Sequence, residues 1–208
     1  MLEADKFAVK EQVKFLKSSQ SYEIFDGDSG ALIGTAVETI GGLNKMLRWV
    51  ISKALMPTRF EIREKPDDAL VFVIRRGAYI FRSRVEVLNA DGELIGFFKS
   101  KILTIGGGFH VYDKDGKHFA DVKGKMLKSD YRFVSPDGVT EIGSVSKSWG
   151  GTAKSLLTGG DAYGVRIAPA YKDNPTAKIL VLGATIAIYA MFKKGGGGKG
   201  SADESGDE

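Results

Sequence analysis

The sequence predicts a mainly β protein, a closed antiparallel barrel of about twelve strands around a hydrophobic C-terminal α-helix. Three observations support this prediction. Asp-Gly turns recur between alternating apolar segments, strand-like segments continue along most of the chain, and one segment near the C-terminus is apolar on nearly every side. The 208 residues, 43% hydrophobic and 27% charged, can bury such a core, and this composition argues against wholesale disorder.

The repeated hairpins are the clearest local signal. Asp91-Gly92, Asp115-Gly116 and Asp137-Gly138 each separate two short segments that alternate apolar and polar residues. Asp-Gly favours a tight hairpin turn because glycine adopts a positive φ without a Cβ clash. A looser copy surrounds residues 28–30. Further strand-like segments lie at residues 59–63, 69–75 and 79–87. Hairpins this regular favour a closed barrel or a sandwich, because both architectures limit exposed strand edges.

The apolar C-terminal segment comprises residues 177–192. After Lys178 it contains a continuous apolar run of 14 residues, 179–192, which is shorter than the ~20 residues that a helix needs to span a bilayer. We therefore predict a helix buried in protein rather than a short membrane anchor. A barrel of about twelve strands is too wide for its own side chains to fill, and this helix is hydrophobic enough to occupy the interior.

A second helix is predicted at residues 44–55, where apolar residues recur at spacings of three and four. A basic amphipathic helix that carries a tryptophan can lie in a membrane interface. The alternative is that this helix caps one end of the barrel. We favour the cap because apolar faces of surface helices usually pack inward. The candidate membrane-contact residues are Lys45, Arg48, Trp49 and Lys53.

The composition excludes several kinds of chemistry. The chain has no cysteine, which removes disulfides, thiolate metal sites and cysteine nucleophiles. Its two histidines leave little room for a histidine-based metal site. We therefore predict that the protein is not an enzyme, and that it has no catalytic residues, no metal and no cofactor.

The charge distribution indicates an anionic partner. The net charge is +4, and residues 199–208 contain one lysine and four acids, so the body before this tail is more strongly basic. Phospholipid headgroups and nucleic acid are the main candidates. Nucleic acid would favour aromatic residues interleaved with lysines on an exposed face, whereas the aromatic residues here fall within strand patterns typical of a core. The sequence therefore favours lipid headgroups or a membrane surface over nucleic acid.

Lysines follow each of the three later hairpins. Because the hairpins repeat, these lysines would gather as a cationic rim at one end of the barrel and attract acidic lipids, at about 1 kcal/mol for each lysine near the surface. Solvated strand ends, where lysines discourage edge pairing, are the alternative. The candidate lipid-binding residues are Lys99, Lys101, Lys123, Lys125, Lys128 and Lys147.

The order of motifs from residue 22 to residue 192 carries a family resemblance. The segment YEIFD at residues 22–26 is followed by the repeated hairpins, KSWGG at 147–151, LTGGDAYGV at 157–165 and the apolar helix. This order resembles the tubby-like superfamily, in its branch of phospholipid scramblases and LURP-one-related proteins. The resemblance implies a twelve-stranded antiparallel barrel wrapped around the C-terminal helix. It also implies a binding or membrane-associated role rather than a catalysed reaction.

The sequence departs from the animal scramblases that it resembles. Animal scramblases resemble one another in an acidic calcium-binding loop that directly precedes the helix. In the matching segment of this chain, residues 159–170, only Asp161 supplies a carboxylate. A calcium site needs several oxygen ligands, so Asp161 remains a single candidate ligand and calcium activation is not expected. The cysteine cluster that carries lipid chains in that group is also missing.

The expected function is that of a non-enzymatic scaffold that binds anionic phospholipid or phosphoinositide headgroups, in the cytoplasm and peripherally at a membrane. One alternative is a membrane-inserted phospholipid scramblase, in which the C-terminal helix leaves the barrel. A second alternative is a protein-interaction barrel with no lipid role. The expected organisation is an N-terminal extension at 1–20, the barrel with its helix at 21–192, and a flexible Gly-rich acidic tail at 193–208.

Overall fold

The structure is a computed structural model that describes residues 1–12, 19–39, 57–77, 84–100, 108–125, 130–147 and 162–193. Its strands form one closed antiparallel barrel in which each strand pairs with its neighbours in the chain, and the last strand pairs with the first. The predicted fold class, including the number of strands, is confirmed. The strands are β1 Lys6–Glu11, β2 Ser21–Asp26, β3 Leu32–Glu38, β4 Thr58–Glu64, β5 Leu70–Arg76, β6 Arg84–Asn89, β7 Leu94–Ser100, β8 Phe109–Asp113, β9 His118–Lys125, β10 Asp130–Val134, β11 Glu141–Ser146 and β12 Ala162–Ile167.

The barrel begins before residue 21, where the sequence analysis placed its start. Strand β1 lies inside the segment 1–20 that was expected to be an extension, and it pairs with both β2 and β12. Phe7 and Val9 are fully buried in the core. Closing the barrel through β1 removes the two edges that β2 and β12 would otherwise expose. No turn signal precedes β1, so the hairpin pattern did not find it.

The C-terminal helix occupies the interior of the barrel, as predicted. A short 3₁₀ turn at Pro169–Tyr171 precedes α1 at Pro175–Ala187, which continues as a π-helical segment at Ile188–Lys193. The Asn174 side chain caps α1 by accepting the backbone N–H of Ala177, an arrangement that satisfies an otherwise unpaired donor. Every residue from 177 to 190 is buried. Among the described residues, no helix has the length and apolar character needed to cross a membrane.

The two ends of the barrel differ in what they contain. The hairpin end carries the tight turns that join β2 to β3, β4 to β5, β6 to β7, β8 to β9 and β10 to β11. The exit end is the opposite end, where the odd-numbered strands finish. Helix α1 starts at the hairpin end, where Lys178 contacts Leu2 ahead of β1. It finishes at the exit end, where Tyr189 stacks on Tyr163 of β12 at 3.9 Å between ring centroids.

Each of these hairpins contains one extra residue at the same place, next to the hairpin end. In β8–β9, for example, Val111 pairs with Ala120 and Tyr112 pairs with His118, so Phe119 has no cross-strand partner. Such a β-bulge bends the strand and redirects the side chains beside it. The bulged residues pack against or within the core near the start of α1, and they are Ile33, Val71, Ile95, Phe119 and Ile142.

The glycines of the Asp-Gly turns adopt the predicted conformation. Gly92, Gly116 and Gly138 have φ of 86°, 79° and 76°, which favours glycine over residues with a Cβ. In the looser turn, Oδ1 of Asp26 accepts the backbone N–H of Asp28 at 3.1 Å and that of Ser29 at 2.7 Å. The backbone N–H of Ser29 is the main reason that the pKa of the Asp26 carboxyl lies below its ordinary value.

This turn leads to a testable expectation about acid stability. Because the folded pKa of Asp26 is lowered, its contribution is present above the unfolded pKa and disappears as the pH falls through the folded pKa. Asp26→Ala should lower the free energy of unfolding by about 1 kcal/mol at neutral pH, and by less as the pH falls through the folded pKa of the wild-type carboxyl. Urea unfolding over a series of pH values measures this. Asp28→Ala is the control; a constant deficit for Asp26→Ala across the pH range would contradict the assignment.

Candidate functional site

The interior of the barrel offers little room for a ligand in the part of the chain that the structure describes. Between α1 and the wall lies a void of about 10 Å³, lined by apolar side chains that include Phe98 and Ile188. Tyr131 and Tyr163 are fully buried at the exit end of the core, and burial raises the pKa of both phenols. In the described part of the chain, the exit end of the interior therefore supplies neutral, closely packed groups, whereas most charged side chains lie on the outer surface.

Acidic residues concentrate at the hairpin end. Each tight turn carries at least one carboxylate in or beside the turn. Several of these acids accept backbone N–H groups, as Asp113 does from Asp115 and Lys117, which is a common role of aspartate in turns. The acids of the turns are Asp26, Asp28, Asp67, Asp68, Asp91, Glu93, Asp113, Asp115 and Asp137.

Basic residues concentrate at the exit end. Because the strands are antiparallel, the ends of the odd-numbered strands and the starts of the even-numbered strands lie together there. Most described strands have a basic residue at or next to the strand end that lies at the exit end. Fewer acidic residues occupy the same positions. The cations are Lys10, Arg59, Arg75, Arg76, Arg84, Lys99, Lys125 and, directly after β11, Lys147. Among the described residues, the barrel is thus polarised along its axis, with an acidic hairpin end and a basic exit end.

The predicted lipid-binding lysines fall partly within the described chain. Lys99 is exposed next to the end of β7, Lys123 is exposed two residues before the end of β9, and Lys147 is exposed just after β11. The backbone of Lys125 forms the last position of β9. Strands β7, β9 and β11 run in the same direction, so these positions approach the exit end. The other predicted site residues lie outside the described residues, and they are Lys45, Arg48, Trp49, Lys53, Lys101, Lys128 and Asp161.

Arginines at the exit end are largely engaged in ion pairs. Arg75 contacts Glu86 at 2.7 Å, and Arg84 contacts the same carboxylate at 3.3 Å. Arg59 contacts Glu61 at 3.4 Å. These carboxylates offset part of the arginine charge at the exit end.

Lys99 belongs to a stack of aromatic rings and cations on the outer wall. The Phe97 and Tyr112 rings stack at 4.9 Å with an interplanar angle of 13°. The Nζ of Lys99 lies 5.2 Å from the Phe97 centroid and 5.0 Å from the Tyr112 centroid, while the Arg84 guanidinium lies 4.0 Å from the Phe97 centroid. Cations over aromatic faces are attracted by the ring quadrupole. The stack therefore places the Lys99 ammonium group and the Arg84 guanidinium over aromatic rings on the outer wall.

Both histidines of the chain meet one aspartate beside this stack. The Nδ1 of His110 lies 2.5 Å from Oδ1 of Asp121. The Nε2 of His118 lies 3.2 Å from the same oxygen and 3.2 Å from Nδ1 of His110. All three residues are partly exposed on the outer wall. Sequence reasoning missed this cluster and expected no metal site, because strict strand alternation places residues 118 and 121 on opposite faces of β9. The bulge at Phe119 brings them to one face.

Comparison with known proteins identifies the family. The sequence model of the scramblase family matches residues 50–194. The chain belongs to the scramblase family. This agrees with the resemblance to the tubby-like superfamily that the order of motifs indicated.

A solved structure shares the fold of this chain. The X-ray structure of a protein from Arabidopsis thaliana is similar to this chain with a TM-score of 0.50 and 12% sequence identity, covering 92% of this chain and 91% of that one. At this identity the likeness shows the fold. The search of curated proteins finds no match.

Proposed function

We propose that this scramblase-family protein is a non-enzymatic, peripheral binder of anionic phospholipid headgroups on the cytoplasmic side of a membrane, with its exit end facing the lipid. The observation that carries the proposal is the polarity of the barrel. The basic exit end would be attracted to a negatively charged surface, and the acidic hairpin end would be repelled from it. Membership of the scramblase family supports a lipid as the anion.

The binding mode follows from the packing of the barrel. Because α1 fills the interior from residue 177 to residue 190, the headgroup contacts the outside of the protein. Lys99, Lys123, Lys125 and Lys147 would hold phosphate oxygens by charge, and added salt would weaken this attraction. The rings below Lys99 restrain its ammonium group, which reduces the conformational entropy lost on binding.

Scrambling by insertion of the C-terminal helix receives less support from the packing. Removing α1 from the barrel would expose the apolar inner faces of the surrounding strands, a large cost at about 25 cal/mol per Å². A protein-interaction barrel without a lipid role would not by itself explain the separation of charge between the two ends. Both alternatives are distinguished by the experiment that follows.

Cosedimentation with liposomes tests the proposal, using neutral vesicles and vesicles that contain anionic phospholipid, each at low and high salt. The exit-end variant replaces Lys99, Lys101, Lys123 and Lys125 by glutamine. The matched control makes the same change at Lys65, Lys114, Lys117 and Lys172, near the hairpin end, so both variants lose the same charge. We expect wild-type protein to bind the anionic vesicles and to dissociate in high salt. The exit-end variant should bind at least about tenfold more weakly, and the control should bind like the wild type.

Three results would contradict the proposal in different ways. Equal losses in both variants would mean that net charge, rather than the exit end, drives binding. Salt-resistant binding to neutral vesicles would favour insertion and the scramblase alternative. Absence of binding to every vesicle would favour the protein-interaction barrel. Thermal unfolding of both variants confirms that any loss arises in a folded protein.

A further inference from the structure

We propose that His110, His118 and Asp121 form a binding site for a divalent transition-metal ion, for which Zn²⁺ is the best match, on the outer wall of the barrel. The proposal is independent of lipid binding and rests on the convergence of three ligand atoms. Two imidazole nitrogens and one carboxylate oxygen lie within 4.8 Å of one another, and imidazole with carboxylate is a ligand set used by zinc and related metals.

The distances are close to those of a metal site. Zinc binds imidazole nitrogen and carboxylate oxygen at about 2.0–2.2 Å, so the ligand atoms of a tetrahedral site lie about 3.3–3.6 Å apart. Two of the three separations here are 3.2 Å, from His118 to Asp121 and from His118 to His110. The third, from His110 to Asp121, is 2.5 Å. If the His110–Asp121 distance lengthened to about 3.3–3.6 Å, all three separations would be close to those of a tetrahedral site. Rotation about the side-chain torsions can supply this movement.

The backbone brings the three ligands together with little reliance on a flexible loop. His110 and Asp121 are direct cross-strand partners on β8 and β9. His118 begins β9, and the bulge at Phe119 turns its side chain toward the same face as Asp121. Ligands on paired strands are held more rigidly than ligands on loops, which favours a preformed site.

The aromatic stack supports the orientation of both imidazoles. The centroid of the Tyr112 ring lies 5.5 Å from that of the His118 ring and 6.2 Å from that of the His110 ring. Tyr112 is in turn stacked on Phe97. The two histidine rings meet edge to face at 4.9 Å and 78°. These contacts restrict the rings to orientations in which their nitrogens face Asp121.

Partial exposure gives the ion a route to the site. The exposed fractions of the three side chains are 27% for His110, 32% for His118 and 15% for Asp121. A tetrahedral ion held by three protein ligands retains one further position, which here would face solvent. Hard cations such as Ca²⁺ and Mg²⁺ prefer more oxygen ligands than this cluster provides, so the proposal is specific for metals that accept imidazole.

The direct test uses the full chain, stripped with a chelator and titrated with Zn²⁺ without lipid. Because the chain has two histidines, long-range ¹H–¹⁵N NMR of the imidazoles observes both proposed histidine ligands and no other histidine. We expect both imidazoles to shift together and to saturate at one equivalent of Zn²⁺. Imidazole signals that stay unchanged would overturn the proposal. This measurement needs no variant, so it remains decisive even if substitutions disturb folding.

Substitutions then test two of the three proposed ligands, His118 and Asp121. His118→Gln and Asp121→Asn should each weaken Zn²⁺ affinity by about 100-fold in calorimetric titration, because losing even groups that only support metal ligands commonly costs 10–100-fold. Asp115→Asn is the matched control, since Asp115 is an exposed acid in the same hairpin, and it should bind like the wild type. Retention of wild-type affinity by His118→Gln and Asp121→Asn would assign the zinc to another place and overturn the proposal.

Discussion

Gly96→Ala should destabilise the protein by about 3 kcal/mol, because the wall of the barrel has no room for a methyl group at this position. A Cβ at Gly96 would lie 2.4 Å from the carbonyl oxygen of Tyr112 and 2.8 Å from Cδ2 of Leu180. The Leu180 side chain can move, but the Tyr112 carbonyl belongs to the neighbouring strand. Relief would therefore require β7 and β8 to separate, and the free energy of unfolding in urea should fall accordingly.

Gly183→Ala provides a control with the opposite expectation. Gly183 lies on α1 in the same core, and a Cβ there would meet its nearest neighbour, Phe72, at 3.4 Å, which is an ordinary contact. Alanine is favoured over glycine inside a helix by up to about 1 kcal/mol. We therefore expect Gly183→Ala to be neutral or stabilising. Equal destabilisation by both substitutions would show that the core rejects any added volume and would contradict the specific role of Gly96.

Lys178→Met should lower the free energy of unfolding by about 2–3 kcal/mol, because Lys178 joins the N-terminal segment to the central helix. Its Nζ donates to the carbonyl oxygens of Leu2 at 2.8 Å and Glu3 at 3.3 Å, and it lies 2.9 Å from Oδ1 of Asp5. The Lys178 side chain is 4% exposed and that of Asp5 is 41% exposed. Removing a buried partner is costly. The Asp5 Oδ1 atom that contacts Nζ is buried, but the Asp5 side chain as a whole is partly exposed, so its rotation toward water would recover part of the loss.

Two further variants separate the ion pair from the backbone contacts. Asp5→Asn should cost less than Lys178→Met, because Lys178 keeps its two carbonyl acceptors. Lys172→Met changes an exposed lysine near the start of α1 and should remain within about 0.5 kcal/mol of the wild type. If Lys178→Met were as stable as Lys172→Met, the buried ammonium would make no net contribution. Chemical denaturation of all three variants at one pH provides the comparison.

Much of the fold could be predicted from the sequence because its strongest signals are local. The turn at Asp115-Gly116 and its counterparts act over a few residues, and alternation on either side identifies the paired strands. The burial of α1 followed from its apolar character on all sides and its short length. The first strand, Lys6–Glu11, was assigned to an extension because its partner β12 lies at the far end of the chain and no turn joins the two.

The candidate sites were predicted less completely. The tendency of lysines to follow the hairpins was visible, and the antiparallel order places Lys99, Lys125 and Lys147 toward the same end; their role in lipid binding remains a proposal. The stack of Phe97 and Tyr112 below Lys99 was not predicted, because it depends on how β7 and β8 pair. Phe97 lies on the outer wall and is buried there by its neighbours.

The sequence by itself determined the hairpins and the apolar central helix, because turn chemistry and hydrophobic periodicity require only neighbouring residues. The order of its motifs along the chain indicated the family. The tertiary structure decided the closure of β1 on β12 and the meeting of His110, His118 and Asp121. Closure depends on pairing between distant segments. The histidine cluster depends on a one-residue bulge at Phe119, and one residue reverses the face of every side chain on that side of the bulge. Such a register is set by packing against the central helix and the adjoining strands.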